Sequence, residues 1–341
     1  MSQQSTLQSR FLDSLSGEER NHVFALTRQV SESLDAWARK YSPFMRTVRV
    51  PQVSLTMAVG APFLEAHELL PAARLSMWLF AVDDLCDTGL SHGQAPNDSL
   101  LWTRFERGIS LLDGSGYSDL GQDPLLLSMR DIRDSLIRSP LFTALRSGLV
   151  SSLRDLRRGM QLEAGWSFLY RESPRAPFPS WYDYLEMAAR HSIGTLPIYL
   201  CVLSMMRDES IPSRSRQLME LGEEAAMGLR LANDLQGYER ECNEGKLNSL
   251  VILQRDFMAR GGVDPEAALA QAREVVSARI ASLMEHCLEL ACNESGFIAQ
   301  PERVIMNAMM FACEFYAHHD YHHVLVRPEG RGPDVNGAPL S

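Results

Sequence analysis

The sequence predicts an all-α protein, a single large helical bundle. Apolar residues recur at helical spacing through most of the 341 positions, and no stretch alternates as a half-buried strand would. Hydrophobic residues make up 45% of the chain, enough for one large core. No internal repeat or linker interrupts the helical region, so the expected organisation is one domain over 1–341.

Residues 1–17 are polar and are expected to be a disordered tail. Helices are expected over 18–41, 62–88, 98–113, 123–138 and 140–171. They continue over 180–205, 213–242, 247–260, 264–294 and 302–323. Ser180 with Asp183 makes a capping-box start, and Asp264 followed by Pro265 makes another helix start. The loops "SHGQAPNDS" and "DGSGYSDLGQ" carry the Gly, Asn, Asp and Pro clusters of turns. Within "YLEMAARHSIGTLPIYL" (184–200), Gly194 and Pro197 lie three residues apart, which breaks or kinks a helix. The tail "RPEGRGPDVNGAPLS" (327–341) lacks apolar content for a core and is expected to be disordered.

With 33 basic and 43 acidic residues the formal charge is −10, and no basic stripe offers a nucleic-acid surface. An anionic substrate would need local positive charge or a metal to overcome that field. The six cysteines are scattered without a C-x-x-C pair, which suits reduced thiols better than zinc or disulfides. No run of 18 apolar residues and no basic-then-apolar leader pattern is present, so a cytoplasmic protein away from membranes is expected.

Two stretches carry chemistry. "AVDDLCDTGL" (81–90) places Asp83, Asp84 and Asp87 on an otherwise apolar helix. Asp83 and Asp87 share a face at i,i+4, with Asp84 about 100° away. Like charges so placed repel, and a hard divalent cation such as Mg²⁺ takes carboxylate oxygens; a solvated helix end is the other reading. "NDLQGYERE" (233–241) places Asn233, Gly237 and Glu241 at i, i+4 and i+8, with Arg240 about 20° off that stripe. An amide oxygen, a carboxylate and a guanidinium there suit a cation bridged to a phosphate, or a charged, solvated helix end.

The pair "DDLCD" and "NDLQGYERE", separated by 150 positions (83 to 233), resembles the aspartate-rich and NSE motifs of bacterial-type class I terpene synthases. The resemblance covers roughly residues 60–323. It implies an all-α bundle of the class I terpene synthase type, with a cleft where three Mg²⁺ ions bind a prenyl diphosphate and trigger its ionisation. By that resemblance Asp83 is the main acidic ligand, Asp87 is secondary, and Asp84 completes the metal-binding motif. Asn233 and Glu241 hold a third ion, and Arg240 hydrogen-bonds the diphosphate. The family has Ser or Thr where this chain has Gly237, so one hydroxyl ligand is missing, and a water filling the space left is expected. Gly there also costs about 1 kcal/mol of helix stability against Ala.

Arg190, Ile193 and Gly194 look like the family's diphosphate sensor, linker and effector, although the sensor precedes Asn233 by only 43 positions. The family's closing Arg-Tyr pair corresponds to Asp320-Tyr321, which keeps Tyr321 and loses the Arg. His318/His322 and His319/His323 are i,i+4 pairs, but without an H-E-x-x-H pattern they suit a helix C-terminus better than zinc. Phe80, three residues before Asp83, and Phe315, paired with Phe311 at i,i+4, are candidate pocket residues for cation–π stabilisation of carbocations, or plain core.

The resulting expectation is a Mg²⁺-dependent terpene cyclase, a carbon–oxygen lyase. The short "AARHSIG" segment looks more like bacterial diterpene cyclases, which favours a C20 diphosphate, linear or preformed and bicyclic. A bicyclic substrate implies a class II cyclase upstream, since no D-x-D-D motif is present here. A homodimer is the expected assembly. Cyclisation of C15 farnesyl diphosphate is the alternative substrate reading. A chain-elongating prenyltransferase lacks its second Asp-rich motif here, and a non-catalytic helical scaffold is the alternative of a different class.

Overall fold

The computed structural model describes residues 10–91, 99–115, 120–173, 177–292 and 296–318. Among them there is no β-strand, only an isolated bridge between Cys292 and Ile298. The chain opens with α1 (Arg10–Ser14) and α2 (Gly17–Lys40), the latter begun by a Ser16–Glu19 capping box. Residues 10–17 therefore depart from the expected disordered tail. Leu12 is buried, and the Phe11 N–H donates to the Glu314 carboxylate at 2.9 Å. Three apolar residues (Phe11, Leu12 and Leu15) in a polar stretch are too few to show periodicity, yet they suffice to dock one turn. Residues 1–9, the remainder of that expected tail, and 327–341 lie outside the described residues.

A 3₁₀ turn (Thr47–Arg49) leads into α3 (Val50–Gly60), which the helical spacing does not predict. Nine of its eleven residues are buried, so the helix has no polar face and leaves no amphipathic period to read. Helix α4 (Ala66–Ser91) is comparably enclosed through Ala72, Leu75, Trp78 and Val82. It packs among α2, α3, α6 (Pro124–Leu136) and α10 (Thr195–Met205). Between them, α5 (Ser99–Asp113) lies on α6 and on the long α7 (Phe142–Glu172).

The predicted interruption in 180–205 is resolved into several pieces. Helix α8 (Trp181–Tyr184) is capped by Ser180, whose hydroxyl accepts the Asp183 N–H at 3.0 Å. A π-helical turn (Leu185–Ala189) and the short α9 (Arg190–Ser192) follow, and the helix is interrupted at Gly194 with φ +77° before α10. Helix α11 (Ile211–Asn243) then packs among α10, α13 (Pro265–Ala291) and α14 (Gln300–His318). Helix α12 (Ser249–Gly261) begins at the Asn248 cap, and Asp264 with Pro265 starts α13 as expected. No helix of the described residues is long and apolar enough to cross a membrane.

Candidate functional site

Helix α4, α7 and the C-terminal half of α11 enclose a polar cleft lined by Asp83, Asp87, Glu163, Arg230, Asn233, Arg240, Glu241 and Lys246. The i,i+4 geometry puts Asp83 and Asp87 on one wall, and the stripe on α11 supplies Asn233 and Glu241 to the other. Burial, with repulsion from the neighbouring aspartates, raises both the Asp83 and Asp87 carboxyls above their ordinary range; Lys246 opposes the shift. Burial together with Asp234 pushes Glu241 up to about 7. Burial is the largest cause for all three carboxyls.

Asp84 does not reach this cleft, contrary to its expected place in the metal-binding motif. Its two oxygens accept from the Arg49 guanidinium at 2.9 Å each, and Arg46 adds a contact at 3.4 Å. The 100° offset on the helix turns it toward the buried Arg49 in the turn before α3. Asp234, beside Asn233, is likewise structural. It is fully buried, accepting from Tyr184 Oη at 2.8 Å, the Arg230 guanidinium at 3.0 Å and the Ser249 N–H at 3.0 Å.

Gly237 is buried on the stripe. A Cβ there would lie 2.9 Å from Glu241 Oε1 and 3.2 Å from the Arg240 guanidinium, so a side chain at this position would displace the carboxylate. Asn248 Nδ2 holds the other Glu241 oxygen at 3.1 Å. Arg240 lines the cleft beside Glu241.

The proposed sensor behaves differently. Arg190 lies among Glu186 at 3.3 Å, Glu224 at 3.3 Å and Glu223 at 3.7 Å, and does not line the cleft. Three carboxylates on α11 and the π-helical turn neutralise it where it stands. Arg230 reaches the cleft instead, with Glu163 Oε2 at 3.3 Å. Ser192, Ile193 and Gly194 do line a neck, together with Phe80, Asp83, Arg230, Asn233 and Tyr316. A Cβ on Gly194 would meet Leu79 at 2.9 Å and Leu156 at 3.1 Å, and its positive φ disfavours any other residue.

Past the neck lies an apolar cavity. Phe80 lines both the neck and this cavity, joined by Val53, Met57, Ile198, Leu229 and Ile305. Phe315 is not on that wall. It is packed in the core against Phe311 and Tyr316, with ring centroids 6.4 and 5.9 Å apart, while Tyr316 faces the cavity. A one-residue step along the helix turns the side chain by about 100°, which separates the two roles. Tyr321, and with it Asp320 and the His319, His322 and His323 positions, lies outside the described residues.

Sequence reasoning passed over Arg49, Glu163, Arg230, Lys246 and Asn248. Arg230 lies one turn before Asn233 on the same helix and was open to helix counting, whereas Lys246, five residues after Glu241, lies past the helix end. Arg49 and Glu163 come from distant segments, where no local pattern marks them.

Oxygen donors from three carboxylates and one amide around a negatively charged cleft fit a hard divalent cation such as Mg²⁺. Among the described residues no three acidic, imidazole or thiol groups already converge as a ligand shell. The donors stand in pairs on the two walls, an arrangement that a bridging anionic ligand would complete.

Residues 74–282 match the model of the terpene synthase family 2 C-terminal metal-binding domain. Over 69% of the chain the sequence is 31% identical to an ent-beyerene synthase of Oryza sativa subsp. japonica, and over 74% it is 28% identical to a dolabradiene synthase of Zea mays. The matched segments span only 27% and 29% of those relatives. The fold is similar to 2-methylisoborneol synthase from Streptomyces coelicolor A3(2) in complex with Mg²⁺ and geranyl-S-thiolodiphosphate. There the TM-score is 0.64 at 16% identity, covering 86% of this chain and 90% of that one. A linalool/nerolidol synthase from Streptomyces clavuligerus is also similar, with TM-score 0.57 at 15% identity, covering 86% and 93%.

Proposed function

Since the chain belongs to the terpene synthase family, we propose that it is a Mg²⁺-dependent class I cyclase that ionises a C20 prenyl diphosphate, linear or bicyclic, and cyclises the carbocation. One observation carries this reading: the acidic cleft opens through a neck into the apolar cavity, and Asp83 and Phe80, one turn apart on α4, stand at the join. A diphosphate fits the charged end and a hydrocarbon chain fits the other.

In this reading Asp83, Asp87, Asn233 and Glu241 would hold three Mg²⁺ ions, with Asp84 confined to structure. The bound ions would supply Lewis-acid assistance to departure of the diphosphate. Arg230, Arg240 and Lys246 bind the diphosphate oxygens by charge-assisted hydrogen bonds. The Gly194 bend orients the neck, which presents backbone and apolar side chains to the allylic end. The cavity excludes water while the cation rearranges, and the face of Phe80 stabilises positive charge by about 0.5–2 kcal/mol. Similarity to plant enzymes named for ent-beyerene and dolabradiene supports the C20 preference. A bicyclic substrate would be made upstream by a protonation-initiated class II cyclase, and the expected assembly is a homodimer.

The experiment is a substrate panel. Purified protein with Mg²⁺ is incubated with geranyl, farnesyl, geranylgeranyl and copalyl-type diphosphates, and products are identified by gas chromatography with mass spectrometry. Cyclic C20 products are expected. Cyclisation of the C15 substrate alone would overturn the chain length, and absence of turnover and of Mg²⁺–diphosphate binding would favour a scaffold. Size-exclusion chromatography of the same preparation tests the dimer.

A further inference from the structure

Lys246 stands at the cation position of the cleft. Its ammonium is 2.6 Å from Asp87 Oδ2 and 2.9 Å from Glu244 Oε2, so it ties the α4 wall to the end of α11. Its backbone is fixed. Helix α11 ends with Gly245 at φ +66°, the Gly245 N–H donates to Cys242 O at 3.1 Å, and the Lys246 N–H donates to Glu241 O at 2.8 Å. This is a Schellman closure, which sets where the lysine side chain leaves the helix. Gly245 also packs tightly, since a Cβ there would lie 2.6 Å from Arg171. The other two cations of the cleft are anchored on α11 itself, Arg230 on Asp234 and Arg240 beside Glu241.

An ammonium and a divalent cation cannot both sit against the same Asp87 oxygen without strong repulsion. We propose that Lys246 is a built-in counter-ion: it neutralises the aspartate pair before metal enters, and loading requires its ammonium to leave Asp87. Glu244 provides the place to go, because the same ammonium already touches it at 2.9 Å. An incoming diphosphate would draw the ammonium off as well, coupling metal binding to substrate binding. The inference rests on the assignment of the cleft as a Mg²⁺–diphosphate site.

The test is calorimetric titration of the purified chain with Mg²⁺ alone, and again with inorganic diphosphate present, for wild type, Lys246→Met and Glu244→Gln. Lys246→Met should bind Mg²⁺ alone about tenfold more tightly, the scale for removing a like charge a few ångströms away near a protein surface. The same variant should lose much of the gain that diphosphate gives the wild type. Glu244→Gln, which leaves the ammonium only Asp87, should bind Mg²⁺ more weakly than wild type. Equal or weaker Mg²⁺ binding by a folded Lys246→Met would overturn the counter-ion role. If Lys246→Met does not fold, equal or tighter binding by Glu244→Gln overturns it. A wild type that binds neither Mg²⁺ nor Mg²⁺ with diphosphate would overturn the site assignment as well.

Discussion

The Arg49 guanidinium grips Asp84 through two hydrogen bonds of 2.9 Å, and one of its nitrogens also donates to the Phe80 carbonyl at 3.2 Å. Its Cζ lies 4.6 Å from the Phe80 ring centroid. The middle of the aspartate motif is therefore a structural clamp that fixes the turn of α4 carrying Asp83. Asp84→Ala leaves a buried guanidinium without its carboxylate, and stability should fall by about 3 kcal/mol, the low end for a broken buried pair because Asp84 is partly exposed. Urea unfolding measures this. Calorimetry should find Mg²⁺ binding close to wild type; a lost Mg²⁺ response with unchanged stability would return Asp84 to the ligand set.

Asp83→Ala should do the reverse. It removes an oxygen donor from the cleft, and turnover should fall by at least about a hundredfold. Circular dichroism should show a folded protein with an unchanged or slightly raised melting midpoint, because one of two repelling carboxylates is gone. Near-wild-type product formation would sink the metal role of Asp83.

Most of the fold was legible in the sequence because most helices are amphipathic. Helix α3 was not, since a helix buried on all sides has no polar face to set a period. The site divides in the same way. Asp83, Asp87, Asn233, Gly237, Arg240 and Glu241 fall on helical stripes, and their gathering could be anticipated from spacing. The direction of Asp84 could not, because it depends on Arg49, which comes from the turn before α3. The same holds for Arg190, whose partners Glu223 and Glu224 lie more than thirty residues later. Local patterns place side chains on helix faces; which neighbour each face meets is decided by tertiary packing.

Away from the cleft, Asp123 caps α6 and pairs with Arg104 at 2.6 and 2.8 Å. Burial alone would raise its carboxyl, but Arg104 and the α6 N–H groups lower it below the ordinary 3.8. A carboxyl lowered on folding contributes stability above its unfolded pKa, and loses it as pH falls through the folded one. Asn caps helices as well as Asp does, so Asp123→Asn isolates the charge. The wild type should melt above Asp123→Asn at pH 6, and the difference should shrink as pH falls below 3.8 and through the lower folded pKa. Differential scanning calorimetry at several pH values checks this; a gap that does not narrow between pH 6 and pH 3 would mean the contribution is not ionic.

Gly237 gives the most direct test of how the α11 wall is built. A methyl group there would press on Glu241 Oε1 at 2.9 Å, while Asn248 holds the other oxygen at 3.1 Å. The carboxylate has to turn, which weakens either its Asn248 bond or its aim into the cleft. The backbone itself gains, since Ala is favoured over Gly inside a helix by about 1 kcal/mol. Gly237→Ala should therefore keep or slightly raise the melting midpoint while turnover falls about tenfold, equivalent to about 1.4 kcal/mol in the transition state. Gly237→Ser displaces the same carboxylate but supplies a hydroxyl oxygen on the stripe, and should retain more activity than Gly237→Ala. Steady-state kinetics beside thermal melts decide it. A Gly237→Ala protein as active as wild type would mean that the position of Glu241 does not depend on the missing side chain, and a Gly237→Ser protein less active than Gly237→Ala would mean that the stripe has no use for a hydroxyl.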